Sequence, residues 1–392
     1  MNVKSIFEPI GIDTFLSEFY EKKHLLIKRN ERNFYNSLIS FNDIDKVIFS
    51  QKLNAPSFRL VNSKTDTYPD AATFCYKGTN IINPRKFVQG YTEGHTLAMA
   101  GFQQLHYGLR HFCQQFEDLL GHPFQTNLYL TPADSKGFSP HWDSHDVFVL
   151  QISGSKHWKI YENGMPLADA QLKFEKEGFD AGKVVDEFTL EEGDFLYIPR
   201  GLTHDAYTDT SNSLHITTGL LGYTWSQYLI ESIVHLAKTD VTFRKFIPLG
   251  IVHADTQSYD NQVLELLSSL KKELDKKEGL SRFNRELKDK QFDCSSKLLL
   301  EVLKLDQLNL DSSVIRRYKR PFRLITKDDK VFARHKDISL EFPLFCEPVL
   351  RFINEQSSSF SVNQLPNDLD EPGKVVLVKR LIKEGLVLTV EG

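Results

Sequence analysis

At 392 residues the chain is too long for one ordinary core and calls for two or three domains. Its 41% hydrophobic and 26% charged residues are those of a soluble globular protein, and a formal net charge of −4 gives no global field to recruit nucleic acid or an anionic membrane. The opening MNVKSIFEPIGIDTFLSEFYEKKHLLIKRN lacks the apolar core of a signal peptide, and no segment has the apolar run of a transmembrane helix. In chain order, Ile12 to Tyr20 reads as a short amphipathic helix with Asp13 near its start, followed by HLLIKR as a strand. FNDIDKVIF repeats the helical pattern, with Asn42 as its cap. Leu97 to Leu120 is the longest helical run, weakened by Gly101 and Gly108 and ended by Gly121. Short strands follow: QTNLYLT, DVFVLQI, HWKIY, DEFTL, DFLYIP and SLHITTGLL. Gly, Pro, Asn or Asp punctuates nearly every junction, which predicts an antiparallel sandwich or barrel.

After Tyr223 the pattern turns helical, in WSQYLIESIVHLAKTDVTFRKFIP and DNQVLELLSSLKKELDKKEGLSRFNRELKDK. The charged run Lys271 to Lys290 reads as a solvated helix face near a turn at Gly279. From Leu324 onward a small α/β unit is predicted: helix PLFCEPVLRFINEQ, strand SFSVNQL, helix EPGKVVLVKRLIKEG and strand LVLTV. That order fits a winged-helix module. Cys75, Cys113, Cys294 and Cys346 are too dispersed for a zinc knuckle or a disulfide framework, and a reducing cytoplasm is the expected location.

The chemistry concentrates in two segments. In SPHWDSHDVFVLQISGSKHWKIY, His141 and Asp143 are two residues apart, so on extended backbone both point to one face while Trp142 faces away. The second segment, GDFLYIPRGLTH, turns at Pro199-Arg200-Gly201 and presents His204. Two histidines and a carboxylate on a β-scaffold are the facial triad of non-haem Fe(II) sites, with three positions left open, although the same set serves zinc. A fourth protein ligand would block such a site, so His145 is expected beside it or facing a substrate. Asp146 is read as satisfying turn amides, and His157 as pointing away from Lys156.

The GD-to-PxGxxH arrangement resembles the second motif of cupin barrels, and together with His141-Trp142-Asp143 it resembles the JmjC-type 2-oxoglutarate oxygenases. The likeness extends from about Thr96 to Leu221 in motif and over most of the chain in order, and is nearest to the ribosomal oxygenase branch with its bacterial cupin-like members. It implies an α+β fold with a double-stranded β-helix (jelly-roll) core, a helical dimerisation region and a C-terminal winged helix, divided as 1–223, 224–310 and 311–392. It implies Fe(II) held by His141, Asp143 and His204, with 2-oxoglutarate and O2 as cosubstrates. Lys156 stands where this branch places the cation for the distal carboxylate of 2-oxoglutarate. Lys159 is the nearby competitor. Asn127, Tyr129 and Thr217 fall where the branch lines that pocket. The implied activity is hydroxylation of a histidine or arginine side chain of a ribosomal protein by a homodimer.

Other readings stay open on sequence alone: the same chemistry on a biosynthetic peptide or small molecule, a zinc hydrolase, or a non-catalytic metal-binding cupin acting through its winged helix. The stretch Arg316 to Arg323 is basic with interleaved aromatics, and Lys374, Lys379, Arg380 and Lys383 decorate the last helix. The acidic residues around them argue against sequence-specific DNA binding.

Overall fold

The computed structural model describes residues 1–62, 68–247, 260–274, 279, 283, 298–318, 321–335 and 338–390. The chain forms two compact units, with Met1–Phe283 and Asp293–Gly392 as their main parts. Ten strands build the first unit: β1 (Leu25–Ile27), β2 (Phe58–Val61), β3 (Thr96–Met99), β4 (Phe124–Thr131), β5 (Asp146–Gly154), β6 (Lys156–Tyr161), β7 (Val184–Leu190), β8 (Phe195–Ile198), β9 (His204–Tyr207) and β10 (Ser213–Leu220). Seven of them make one sheet in the order β1-β8-β5-β10-β4-β3-β2, and β7-β6-β9 make a second. All the pairings are antiparallel.

Strand β5 shows why this sequence makes two layers. Phe148, Leu150 and Ile152 point into a large core with Phe7, Phe116, Phe195 and Tyr197. The alternate residues Val147 and Val149 point the other way, into a second core with Trp158, Ile160, Leu190, Leu196 and Ile198. A strand covered on both faces presents apolar residues to each, which is why Val147, Phe148, Val149 and Leu150 run on without alternation. Each fully buried Phe, Leu or Val contributes about 1.5–3 kcal/mol over its exposed state. The second core lies between the two sheets, and the outer face of the seven-stranded sheet is covered by N-terminal elements and the helix Tyr107–Leu120.

Several local expectations change. Only the second half of the run Leu97 to Leu120 is helical: Thr96–Met99 is β3, Gly101 takes a left-handed conformation, and the helix begins at Tyr107 with His106 as its cap. The helix Phe41–Ser50 is capped by Ser40, in a reciprocal box with Asp43, and not by Asn42. The Ile12 to Tyr20 segment is one α-turn continued as a π-helical turn, Phe15–Phe19. After Tyr223 come the helices Trp225–Thr239 and Asp260–Leu274; much of the charged run to Lys290 lies outside the described residues.

The second unit holds β11 (Ser313–Arg316), β12 (Arg323–Lys327), β13 (Lys330–His335), β14 (Ile338–Pro343), β15 (Phe360–Ser361) and β16 (Val387–Thr389), in two three-stranded antiparallel sheets, β15-β11-β16 and β12-β13-β14. The helices Glu347–Glu355 and Glu371–Lys383 complete a core of Val314, Val331, Val349, Leu350, Ile353, Leu381 and Val387. Both predicted helices and the last strand are present; SFSVNQL is extended only at Phe360–Ser361 before a 3-10 turn. The basic stretch loses Lys319 and Arg320 to the residues not described. Cys75, Cys113 and Cys346 are buried and form no disulfide among the described residues, and Cys294 lies outside them. No helix among the described residues is long and apolar enough to cross a membrane.

Candidate metal centre

His141 sits just ahead of β5 and His204 opens β9. Their backbones pair directly, the His141 amide donating to the His204 carbonyl (3.1 Å) and the His204 amide to the His141 carbonyl (2.9 Å). Asp143 is tied to the same turn, its carbonyl accepting from the Gly201 amide at 2.8 Å. This brings one ligand atom from each of His141, Asp143 and His204 within 4.8 Å of one another, and the Asp143 carboxylate stands 3.7 Å from His204 Nε2.

Second partners select the tautomers. His141 Nδ1 lies 2.8 Å from the Ser139 carbonyl and His204 Nδ1 lies 2.9 Å from the Leu202 carbonyl. A carbonyl can only accept, so each Nδ1 carries the proton and each Nε2 keeps its lone pair for a metal. Burial pushes His204 down to about 4, aided by the neighbouring His141, so its imidazole is neutral at ordinary pH. Burial alone would raise Asp143, but His141, His204 and His145 outweigh it and hold the carboxyl below its usual range. Neutral imidazoles and an ionised carboxylate are the protonation states that coordination requires.

Strand parity decides the cation. On β6, Lys156, Trp158 and Ile160 face inward and His157, Lys159 and Tyr161 outward. Lys159 pairs with Glu187 at 3.6 Å on the outer side. Lys156 is 3% exposed, and among the described residues its ammonium donates only to the Thr131 hydroxyl, at 3.1 Å, which in turn bonds Thr96. Burial without an acidic partner pushes it down to about 7. The hairpin that delivers it turns at Gly154, whose φ of +67° and closeness to the Asn212 carbonyl leave no space for a side chain.

The remaining predicted residues gather nearby. Asn127 and Tyr129 share a face of β4, across from Thr217 and His215 of β10. The Asn127 side-chain oxygen is already occupied, accepting from the Gly101 amide (3.2 Å) and from Gln125 (2.9 Å), so only its NH2 group remains for a ligand. Burial and the Asp143 charge raise the Tyr129 phenol, while Arg59, Thr217 and Asn127 act against them.

Residues 103–228 match the JmjC domain. Over 300 residues the chain is 30% identical to the bifunctional lysine-specific demethylase and histidyl-hydroxylase NO66 of Aedes aegypti, covering 69% of this chain and 44% of that protein. It is also 30% identical over 261 residues to ribosomal oxygenase 2 of Mus musculus, covering 62% of this chain and 54% of the mouse protein. The chain carries a JmjC domain. It thus spans about half the length of these curated relatives. The fold is similar to that of the Escherichia coli ribosomal oxygenase YcfD solved with cobalt and 2-oxoglutarate, at a TM-score of 0.54 and 16% identity, covering 97% of this chain and 98% of that one. The expected JmjC and cupin-like mixed α/β fold with antiparallel sheets is therefore present.

Three features of this JmjC site had no signal in the sequence. Asp146 does not satisfy turn amides; it is buried and accepts from the Tyr197 hydroxyl (2.6 Å) and Arg200 (3.0 Å), and Arg200 also pairs with Glu21 at 2.6 Å. Second, between β6 and β7 a loop brings Phe174 edge-on to both His141 (6.2 Å between centroids) and Trp142 (5.6 Å). Third, His145 packs against Gly219, where an added Cβ would lie 2.5 Å from its ring.

Gly201 holds the turn together. Its φ is +82°, its amide serves Asp143, its carbonyl accepts from Met165 at 2.9 Å, and a Cβ would fall 1.7 Å from the Met165 carbonyl oxygen. Gly201→Ala is expected to lower unfolding free energy by about 2 kcal/mol or more and to weaken metal binding with it. Denaturant melts with and without Mn(II) check this; unchanged stability and metal affinity would contradict the role given to the turn.

Proposed function

We propose that this JmjC protein is an Fe(II)- and 2-oxoglutarate-dependent oxygenase that hydroxylates a protein side chain, a histidine or arginine of a ribosomal protein. The observation that carries the reading is the pairing of a three-ligand cluster, with both Nδ1 atoms engaged by carbonyls, and a buried lysine that lacks an acidic partner among the described residues. A structural metal site has no use for an unneutralised inward cation, whereas a dicarboxylate ligand does. Bound Fe(II), with 2-oxoglutarate and O2, supplies the oxidising chemistry that places an oxygen atom on an unactivated C–H bond.

The side chains then have separate tasks. His141 and His204 offer Nε2 and Asp143 its carboxylate, leaving the rest of the ion open to cosubstrate. Lys156 holds the distal carboxylate through a charge-assisted hydrogen bond. Tyr129, Thr217 and the NH2 group of Asn127 line the cosubstrate on the β4 and β10 side. Trp158, Val147, Val149 and Ile160 form an apolar wall that excludes water. Phe138 and Phe174 flank His141 where a target side chain enters.

The relatives' names, a histidyl-hydroxylase and a ribosomal oxygenase, support the choice of target class. Intact masses of ribosomal proteins from wild-type and deletion strains test it: one protein lighter by about one oxygen (roughly 16 Da) in the deletion strain is expected. No such difference would move the activity to a small molecule or biosynthetic peptide.

The division into a catalytic domain (1–223), a helical dimerisation region (224–310) and a winged helix (311–392), acting in the cytoplasm, is part of the same proposal. Supporting the homodimer, the helix Trp225–Thr239 leaves Trp225, Ile230, Ile233 and Val234 exposed, and the helix Asp260–Leu274 leaves Leu264 and Leu267 exposed. A monomer in sedimentation velocity at micromolar concentration would remove it.

A further inference from the structure

His215 is a buried side chain of this pocket that the reading above does not use. It points inward from β10, is 3% exposed, and its Nδ1 has no hydrogen-bond partner among the described residues. Its ring stacks on Tyr129 (5.0 Å between centroids, 13° between planes) and meets Trp158 edge-on at 5.7 Å. Trp158 in turn lies 5.9 Å from the ring of His204. Lys156 is close enough for its charge, after burial, to be the second influence holding the imidazole neutral.

A buried polar nitrogen with no partner costs about 1–3 kcal/mol. Nothing in the packing requires it, because a phenylalanine would stack on Tyr129 and fill the same space. Lys156, whose charge reaches His215, donates to the Thr131 hydroxyl, and Val147, Val149, Trp158 and Ile160 form the apolar cluster beside them. A carboxylate resting on Lys156 has lone pairs to spare, and a single ammonium does not satisfy both of its oxygens. A neutral imidazole is suited to supply the second donor: a second cation beside Lys156 would repel it in the empty pocket, whereas an Nδ1–H does not.

We propose that His215 is a cosubstrate-binding residue, its Nδ1–H donating to the same distal carboxylate that Lys156 holds. The inference rests on the oxygenase reading and adds a selective element to it: His215 and Lys156 together recognise a five-carbon dicarboxylate against shorter 2-oxoacids, whereas the metal recognises only the end common to both. Tyr129, stacked on His215, fixes the ring plane so that the nitrogen is aimed before the ligand arrives.

The test compares two chelators on Mn(II)-loaded protein: N-oxalylglycine, which carries the distal carboxylate, and oxalate, which lacks it. In His215→Phe, N-oxalylglycine affinity is expected to fall about tenfold while oxalate and Mn(II) affinities hold. His215→Asn, whose amide occupies the place of Nδ1, is expected to recover part of the loss. In the wild-type protein loaded with diamagnetic Zn(II) in place of Mn(II), the 15N signal of His215 Nδ1 is expected to shift on adding N-oxalylglycine and not on adding oxalate. Equal weakening of both chelators, or none of either, would overturn the assignment and leave His215 as packing. Wild-type protein that binds oxalate and metal yet not N-oxalylglycine would instead overturn the oxygenase reading itself.

Discussion

Replacing His141 by alanine is expected to lower metal affinity at least about a hundredfold and to reduce Fe(II)-dependent succinate formation from 2-oxoglutarate to background. The magnitude follows from the arrangement. Loss of a mere outer partner of a metal ligand costs about 10–100-fold, and His141 is a proposed ligand whose backbone also pairs with His204. Because the side chain is removed and the backbone pair is kept, the variant should fold, and a thermal melt separates the two effects. Undiminished succinate formation would place the chemistry elsewhere.

The second large effect is a pH dependence that belongs to Lys156. Burial holds this ammonium down to about 7 in the empty pocket, and a carboxylate resting on it returns it towards the ordinary lysine range. Below about pH 7 the lysine is already protonated and 2-oxoglutarate binds at full strength. Above pH 7 each binding event takes up a proton, so affinity falls about tenfold per pH unit until the bound lysine itself titrates. Folding responds with the opposite sign. The unfolded chain keeps the proton over the same window, so the empty protein gains stability from this group as pH rises from about 7. Lys156→Met is expected to lose at least a hundredfold in affinity at pH 7, as when one partner of a buried pair is removed, and to flatten the pH profile. Binding to Mn(II)-loaded protein across pH 6–9 checks both; a wild-type profile as flat as the variant's would contradict the buried-cation account.

The residues at the centre could be read from the sequence because their signals are local. His141 and Asp143 are two apart and His204 follows a Pro-Arg-Gly turn, while Lys156 is singled out over Lys159 by the family resemblance and is set inward by the burial pattern of its strand. The partners of Asp146 could not be read, since Tyr197 and Arg200 lie 51 and 54 residues away and no local pattern points to them. Strand β3 was hidden for a different reason. Leu97, Ala98 and Met99 are apolar without period, pair with β2 and β4 at both edges, and merge in sequence with the helix that follows. Only the left-handed Gly101 marks the break, and a glycine inside a helical pattern does not by itself announce one. In the second unit the meander Arg323–Pro343 was missed because charged residues occupy its outward positions and the turn at Asp328. His215 shows the limit of parity: its face could be assigned, but its unpartnered nitrogen becomes visible only once Tyr129, Trp158 and Lys156 surround it.

The most direct test of the central claim is a titration of 2-oxoglutarate into the iron-free protein, with and without Mn(II). Saturable binding that requires the metal is the predicted result, since the His141, Asp143 and His204 cluster and Lys156 then hold one ligand between them. Retention of Mn(II) with no 2-oxoglutarate binding at any pH between 6 and 8 would contradict it.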